Sequence, residues 1–283
     1  MTPRSSTLSH HRARVALVQR WIEGHLDAEL DPVALAVVAG LSEFHFHRVF
    51  RAVTGESVME YLRRLRLQRA ASKLRLGDGS ILELALEAGF SSHEAFTRAF
   101  AAQFEASPSG YRAASRAELR ASDAPVPPPD YARTEARGPV RVLAVRHVGP
   151  YQAVGAAWRA LHGLARELGL SALGERLGLS HDDPEVTPPA RLRYDACLAI
   201  APDATPLPPG SPARLDLVSG GTFAVAVHRG SYDGLGPAYG NLVRWALESD
   251  RELGEAPSIE RYLSDERSTP PSEAVTEISL RLI

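Results

Sequence analysis

Over the first 120 residues apolar positions recur every three or four, the spacing of one helix face. Phe46 and Phe50 lie four apart, as do Phe96 and Phe100, so each pair forms a stripe that a core can bury. Beyond residue 130 the pattern changes. VRVLAV (140–145), YDACLAI (194–200), TFAVAV (222–227) and EISLRLI (277–283) read as strands. Between the two regimes lies RASDAPVPPPD (120–130), whose four prolines favour an extended spacer. The pattern predicts a multidomain chain: an all-α domain over 1–119, a linker over 120–130, and an α+β domain over 131–283. A second proline-rich stretch, APDATPLPPGSP (201–212), reads as a loop joining two halves of the last domain.

The helical part repeats itself. Leu35-Ala36-x-x-Ala39-Gly40 matches Leu84-Ala85-x-x-Ala88-Gly89 at an offset of 49, and Phe46, Arg48 and Phe50 match Phe96, Arg98 and Phe100 at 50. Ser57/Ser107 and Tyr61/Tyr111 continue the match. Small alanines let two helices cross closely, and Gly40 and Gly89 suit a left-handed helix end. Asp31-Pro32 and Ser107-Pro108 place a cap before a first-turn proline, while Ser80 with Glu83 and Ser91 with Glu94 have capping-box spacing. Each copy is a helix-turn-helix candidate, and the double unit predicts an all-α double helix-turn-helix domain. Phe44, His47, Arg48 and Arg51 fall opposite the first phenylalanine stripe; His93, Glu94, Thr97 and Arg98 fall opposite the second. Such groups suit base edges and phosphates in a major groove. The alternative for each is a solvated helix face.

The C-terminal part repeats too. HVGPYQAVGAAWRALHGLARELG (147–169) matches HRGSYDGLGPAYGNLVRWALESD (228–250) at an offset of 81, and Thr187-Pro188-Pro189 matches Thr269-Pro270-Pro271 at 82. Each copy reads as a β-α-β-β repeat, and two such units should pack about a pseudo-twofold axis with a ligand-sized groove between them. In register, Gly178 aligns with Glu260 and Ser180 with Tyr262. Strand alternation sends Ile259 to the core and Glu260 to the groove. An acid among aromatics can pair with an organic cation, and Trp158, Tyr194, Tyr151 and Trp245 are candidate wall residues. The alternatives are a strand carboxylate bridged to an arginine, and aromatics that simply pack in the core.

Charge sharpens the division. Residues 1–122 carry 16 Lys/Arg against 13 Asp/Glu and six of the ten histidines; the remainder carries 16 against 21. No run of about 18 apolar residues exists, so no membrane partner is expected. The N-terminus lacks an apolar signal core and Cys197 is the one cysteine, which fits a reducing cytoplasm. His45 and His47 point different ways on a helix, so no metal site is expected there.

Residues from about 10 to 114 resemble the AraC/XylS family of transcription regulators. The likeness rests on GLSEFHFHRVFRAVTGES, YLRRLRLQRAASKLRLGDGSILELALEAGFSS and AFTRAFAAQFEASPSGYR. It implies seven helices, two helix-turn-helix units joined by one long helix at about 57–75, and reading helices in successive major grooves of double-stranded promoter DNA. Carried over, Phe44, His47, Arg48, His93, Glu94 and Arg98 face bases and Thr97 faces phosphate. Glu105 departs from the family's usual glycine.

Residues 131–283 resemble the GyrI-like small-molecule-binding domain, through the paired GPY/GSY turns, SHDDPEVTPPARLRYDAC and IERYLSDERSTPPSEAVTEISL. That likeness implies a groove for an amphipathic, often cationic, effector facing a buried glutamate. Together the resemblances imply a cytoplasmic, nucleoid-associated, multidrug-sensing regulator with DNA, a small-molecule effector and RNA polymerase as partners, no cofactor and no enzymatic activity. The alternative is a small-molecule hydrolase with Glu260 as general base; another is a protein-interaction module contacting topoisomerase or polymerase.

Overall fold

Alanine-flanked leucines and well-placed caps produce short helices early in the chain, and a computed structural model describes them. It covers residues 3–77, 79–121, 127–128, 131–169, 175–201, 207–208, 211–265 and 268–283. Much of the expected linker and of the 201–212 loop lies outside the described residues. Contacts divide the chain into Met1–Asp123 and Ala124–Ile283.

The first unit contains α1 (Pro3–Glu23), α2 (Pro32–Ala39), α3 (Glu43–Thr54), α4 (Val58–Leu76), α5 (Ile81–Glu87), α6 (His93–Phe104) and α7 (Pro108–Ala121). Asp31 caps α2 by accepting from the Val33 N–H at 2.9 Å. Gly40 then takes a left-handed φ of 61°, and α3 leaves at 78° to α2. Gly89 does the same for the second copy, with φ 78°. Phe46, Phe50, Phe96 and Phe100 are all fully buried. Each pair has ring centroids 5.6 Å apart, and each ends edge-on to a tyrosine, Tyr61 or Tyr111.

One cap differs from expectation. Ser92, not Ser91, caps α6, its hydroxyl accepting from the Ala95 N–H at 3.2 Å. The second copy holds one more residue between its glycine turn and its second helix, which is why the offset passes from 49 to 50. The helix therefore begins at His93, and Glu94 sits one residue too early to close a box. The box that the pattern had not marked is on α4, where Ser57 and Glu60 cap each other reciprocally.

Helix α4 ties the two copies together. Arg66 donates to the Leu26 and Ala28 carbonyls at 2.8 and 2.7 Å, next to the first copy. Its guanidinium also fills the space at Gly89, where a Cβ would lie 2.3 Å from Nη1. Arg69 pairs with Asp27, and Lys73 with Glu87.

The second unit contains β1 (Ala132–Arg137), β2 (Val140–Val148), α8 (Gly155–Glu167), β3 (Arg176–Ser180), β4 (Arg193–Ala199), β5 (Ala213–Val218), β6 (Gly221–Arg229), α9 (Leu235–Glu248), β7 (Ser258–Tyr262) and β8 (Val275–Arg281). The two β-α-β-β repeats are β2-α8-β3-β4 and β6-α9-β7-β8. Each is preceded by one further strand, β1 or β5, whose charged sequences ARTEAR and ARLDLV hide the strand signal. The sheet order is β1-β6-β8-β7-β3-β4-β2-β5, antiparallel throughout. The register Arg137↔Gly221 carries on without a shift into Val140↔Val218. Thus β1–β2 and β5–β6 are two long bent strands running side by side. At the bend a Cβ on Gly220 would lie 2.5 Å from the Arg137 carbonyl oxygen, so only glycine fits there.

At the pseudo-dyad, β3 pairs with β7, and Gly178 lies opposite Glu260, its own repeat partner. Helix α8 packs its Ala157, Leu161 and Ala165 on one side of the axis, and α9 packs Ala238, Leu242 and Ala246 on the other. The opposite sheet face is also closed, by Val142, Cys197, Leu177, Phe223, Val225 and Ile259 among others.

Candidate functional site

The second helix of each helix-turn-helix unit divides sharply into two faces. On α3, Phe46, Val49 and Phe50 are buried, whereas Phe44, Arg48 and Arg51 are exposed and His47 is half-buried. Phe44 is 74% exposed and its ring lies 5.0 Å from the Arg48 guanidinium, so the arginine is steered by a cation–π contact. On α6, His93, Glu94 and Arg98 are exposed and Thr97 is half-buried. The Thr97 hydroxyl is enclosed and has no hydrogen-bond partner among the described residues. Glu94 is held below the usual carboxylate range by its own backbone N–H and the Ser92 hydroxyl, an ordinary first-turn arrangement.

The second cluster is built around Glu260, which is 7% exposed. The Tyr262 hydroxyl donates to Glu260 Oε2. Tyr239 and Ser180 donate to Oε1 at 3.3 and 3.4 Å. Behind them Trp158 Nε1–H donates to Tyr194 Oη at 3.2 Å, and the two tyrosine oxygens lie 2.7 Å apart. The indole can only donate and Tyr262 is committed to the carboxylate, so the chain runs one way: Trp158 to Tyr194 to Tyr262 to Glu260. Burial raises the Glu260 carboxyl, and the three hydroxyl bonds oppose that rise without cancelling it. All its hydrogen-bond donors are neutral, and no arginine or lysine pairs with it among the described residues.

Gly178 makes this cluster possible. A Cβ there would lie 2.3 Å from Tyr194 Oη and 2.7 Å from Tyr262 Oη. Trp158 stands edge-on to Tyr262 at 5.4 Å. Tyr151 is set further back, its ring 6.2 Å from Tyr194 and its hydroxyl bound to the Asp182 carbonyl at 2.6 Å. Trp245 is not a wall residue. It lies in the α9–sheet core with Leu242, Ala246 and Ile278, because positions 238, 242, 245 and 246 form the stripe that α9 turns to the sheet. The α9 residue that reaches Glu260 is Tyr239, nearly two turns earlier.

The other sheet face carries two ion clusters. Buried Asp195 receives Arg146, Arg214 and His181, all within 3.0 Å. Its repeat partner Glu277 receives Arg133 at 2.8 Å and Arg137 at 2.6 Å. Burial would raise Asp195, but the His181 hydrogen bond and the two guanidinium groups outweigh it and hold the carboxyl far below its usual range.

Comparison with known proteins follows the same division. A model of the GyrI-like small-molecule-binding domain matches residues 118–283, and a helix-turn-helix domain model matches residues 35–114. The chain belongs to the AraC/XylS family and carries a GyrI-like domain. The transcriptional regulator Rob of Salmonella typhimurium is 44% identical over 95 residues, 34% of this chain and 33% of Rob. The regulatory protein SoxS of Escherichia coli is 35% identical over 105 residues, 37% of this chain and 97% of SoxS. The match thus spans about a third of the length of the first of these relatives. Among solved structures, the cryo-EM EcmrR–DNA complex covers 89% of this chain and 98% of its own at 15% identity and a TM-score of 0.48.

Within this AraC/XylS chain, the departure at Glu105 has a visible form. Glu105 ends α6 with a left-handed φ of 57°, where its repeat partner Gly55 ends α3 with φ 81°. In the GyrI-like domain, pattern reading passed over Tyr239, Tyr262 and Ser180. The signals existed: Tyr262 shares a face with Glu260 two residues away, and Tyr239 is the repeat partner of Trp158.

Proposed function

We propose that this chain is a one-component transcription regulator. Its helical unit binds double-stranded promoter DNA through α3 and α6. The base-facing set is Phe44, His47 and Arg48 with His93, Glu94 and Arg98, while Arg51 and Thr97 contact the backbone. The observation that carries this reading is the duplicated face: each reading helix buries its phenylalanine pair and exposes an arginine at the matching position, Arg48 or Arg98. Two readers in one chain can recognise a long asymmetric site without a symmetric dimer. Fluorescence anisotropy of the full chain with promoter duplex tests it. Affinity should fall steeply with salt, as phosphate neutralisation requires; affinity that ignores both salt and sequence overturns it.

The GyrI-like domain, in this reading, binds an amphipathic organic cation at Glu260. A carboxylate held only by neutral donors keeps a net charge for a ligand to neutralise, and Trp158 and Tyr262 offer aromatic faces and edges to the same ligand. Binding shifts the population of domain arrangements and so promoter occupancy or contact with RNA polymerase. The protein works in the cytoplasm, at the nucleoid, and Glu260 serves binding rather than hydrolysis. Incubation with small electrophiles should give no turnover; turnover abolished by Glu260→Gln would reverse that last point. No single described helix is long and apolar enough to cross a membrane.

A further inference from the structure

The two halves of the Glu260 site are related by the pseudo-dyad, yet they are filled differently. In the first half the position on β4 is Tyr194, whose hydroxyl has partners on both sides. The matching position on β8 is Thr276, at the repeat offset of 82. Thr276 pairs across the sheet with Tyr262 on one side and His228 on the other, and so shares the face of Glu260 and the helices. It is 1% exposed, and its hydroxyl has no hydrogen-bond partner among the described residues. A buried hydroxyl left unmade costs about 1–3 kcal/mol, which calls for a reason. Threonine in place of tyrosine also leaves this half of the site with a shorter side chain. Tyr232, the repeat partner of Tyr151, is 43% exposed and edge-on to Tyr262 at 5.7 Å.

From this asymmetry we infer that Thr276 is a second anchor for the ligand: its hydroxyl donates to a neutral oxygen, ether or carbonyl, carried by the same cation that pairs with Glu260. The inference rests on the cation reading of Glu260 given above. Thr276 is the diagonal neighbour of Glu260 across β7 and β8, a Cβ separation of about 7 Å. A charged nitrogen and an oxygen two carbons apart can therefore address both groups at once. The half-site thereby selects among cations by what they carry beside the charge.

The test is calorimetric titration of the full chain with two matched probes, benzyl(2-methoxyethyl)dimethylammonium and benzyl(butyl)dimethylammonium, which differ by one oxygen in place of a methylene. The parent should bind the ether about tenfold more tightly, since each tenfold is about 1.4 kcal/mol and one such hydrogen bond is of that order. Thr276→Val should bring the ether down to the level of the butyl cation and leave the latter unchanged. Thr276→Ser, which keeps the hydroxyl, should keep the preference, and circular dichroism confirms that each variant folds. Equal affinity of the parent for both probes overturns the inference, as does a Thr276→Val loss that is the same for both. Glu260→Gln separates the two ideas. If it weakens both probes while Thr276→Val changes nothing, the cation reading stands and the second anchor falls. If it weakens neither, or if the parent binds neither probe, the cation reading falls and takes the anchor with it.

Discussion

The protein contains two duplications, and both keep their scaffold while varying the residues that would meet a partner. In the helical unit the copies share buried phenylalanines and one exposed arginine, Arg48 or Arg98, while Phe44 corresponds to Glu94 and His47 to Thr97. In the α+β unit the copies keep their scaffold alike and differ at the site. The carboxylates Asp195 and Glu277 recur with their arginines, and so does the bent edge strand, but Gly178 faces Glu260, Tyr194 corresponds to Thr276, and Trp158 to Tyr239. The difference follows from what each unit must meet. A duplex offers two similar grooves one turn apart but different bases in each, so two readers can share a frame and one arginine and differ elsewhere. One small molecule on a pseudo-dyad cannot touch both halves equally unless it is itself symmetric, so residues at the axis are free to specialise.

The comparison can be broken most forcefully at the ion clusters. Asp195→Asn removes the buried carboxylate that half-buried Arg146 and Arg214 share and should cost about 3–5 kcal/mol in chemical denaturation. Glu277→Gln should cost less, because one of its two close arginines, Arg133, is 51% exposed and stays solvated, whereas Arg146 and Arg214 beside Asp195 are 18% and 15% exposed. Equal losses would show the clusters to be equivalent after all.

A second test sets Gly178 against its partner. Gly178→Ala pushes Tyr194 and Tyr262 away from Glu260, and overpacking of this kind costs about 1–3 kcal/mol. Cation binding should be lost while DNA affinity is retained; unchanged cation affinity in calorimetry would mean that the tyrosine pair is dispensable. On the DNA side, Arg48→Ala and Arg98→Ala should each weaken cognate binding by about 1–3 kcal/mol if both make bidentate base contacts. Anisotropy titrations in which one is neutral would make the duplicated face unequal.

The carboxylates on the two sheet faces should also differ in the sign of their pH dependence. Asp195 has a lowered folded value, so its contribution to stability is complete above the ordinary carboxylate range and fades as pH falls below it. Glu260 has a raised folded value, so stability is complete below the ordinary carboxylate range and is lost as pH rises toward the folded value. Melting curves of Glu260→Gln should lose that high-pH decline and keep the acid one. The smallest effect belongs to the helix ends. Glu105→Gly relieves a left-handed φ on a side-chain-bearing residue and should add about 1 kcal/mol, seen as a small rise in Tm. A fall in Tm would mean that the glutamate side chain makes a favourable contact.

Much of this was legible in the order of residues, because helical caps, glycine turns and hydrophobic periods are local. The two helix-turn-helix units and the paired β-α-β-β repeats follow from such signals, while the count of seven helices came with the family resemblance. Even Glu260 stood out, since strand alternation separates it from Ile259 over one residue. Tertiary structure decided what depends on distant neighbours. It placed Ser92 as the cap once the turn's extra residue was counted in space, and sent Trp245 to the core because α9 turns that stripe to the sheet. It also gave β1 and β5 strand partners in the opposite repeat, which no local pattern encodes. Most of all, it gathered Trp158, Tyr194, Tyr239 and Tyr262 around one carboxylate from four elements up to 104 positions apart, since cross-strand register, not sequence spacing, sets which side chains meet.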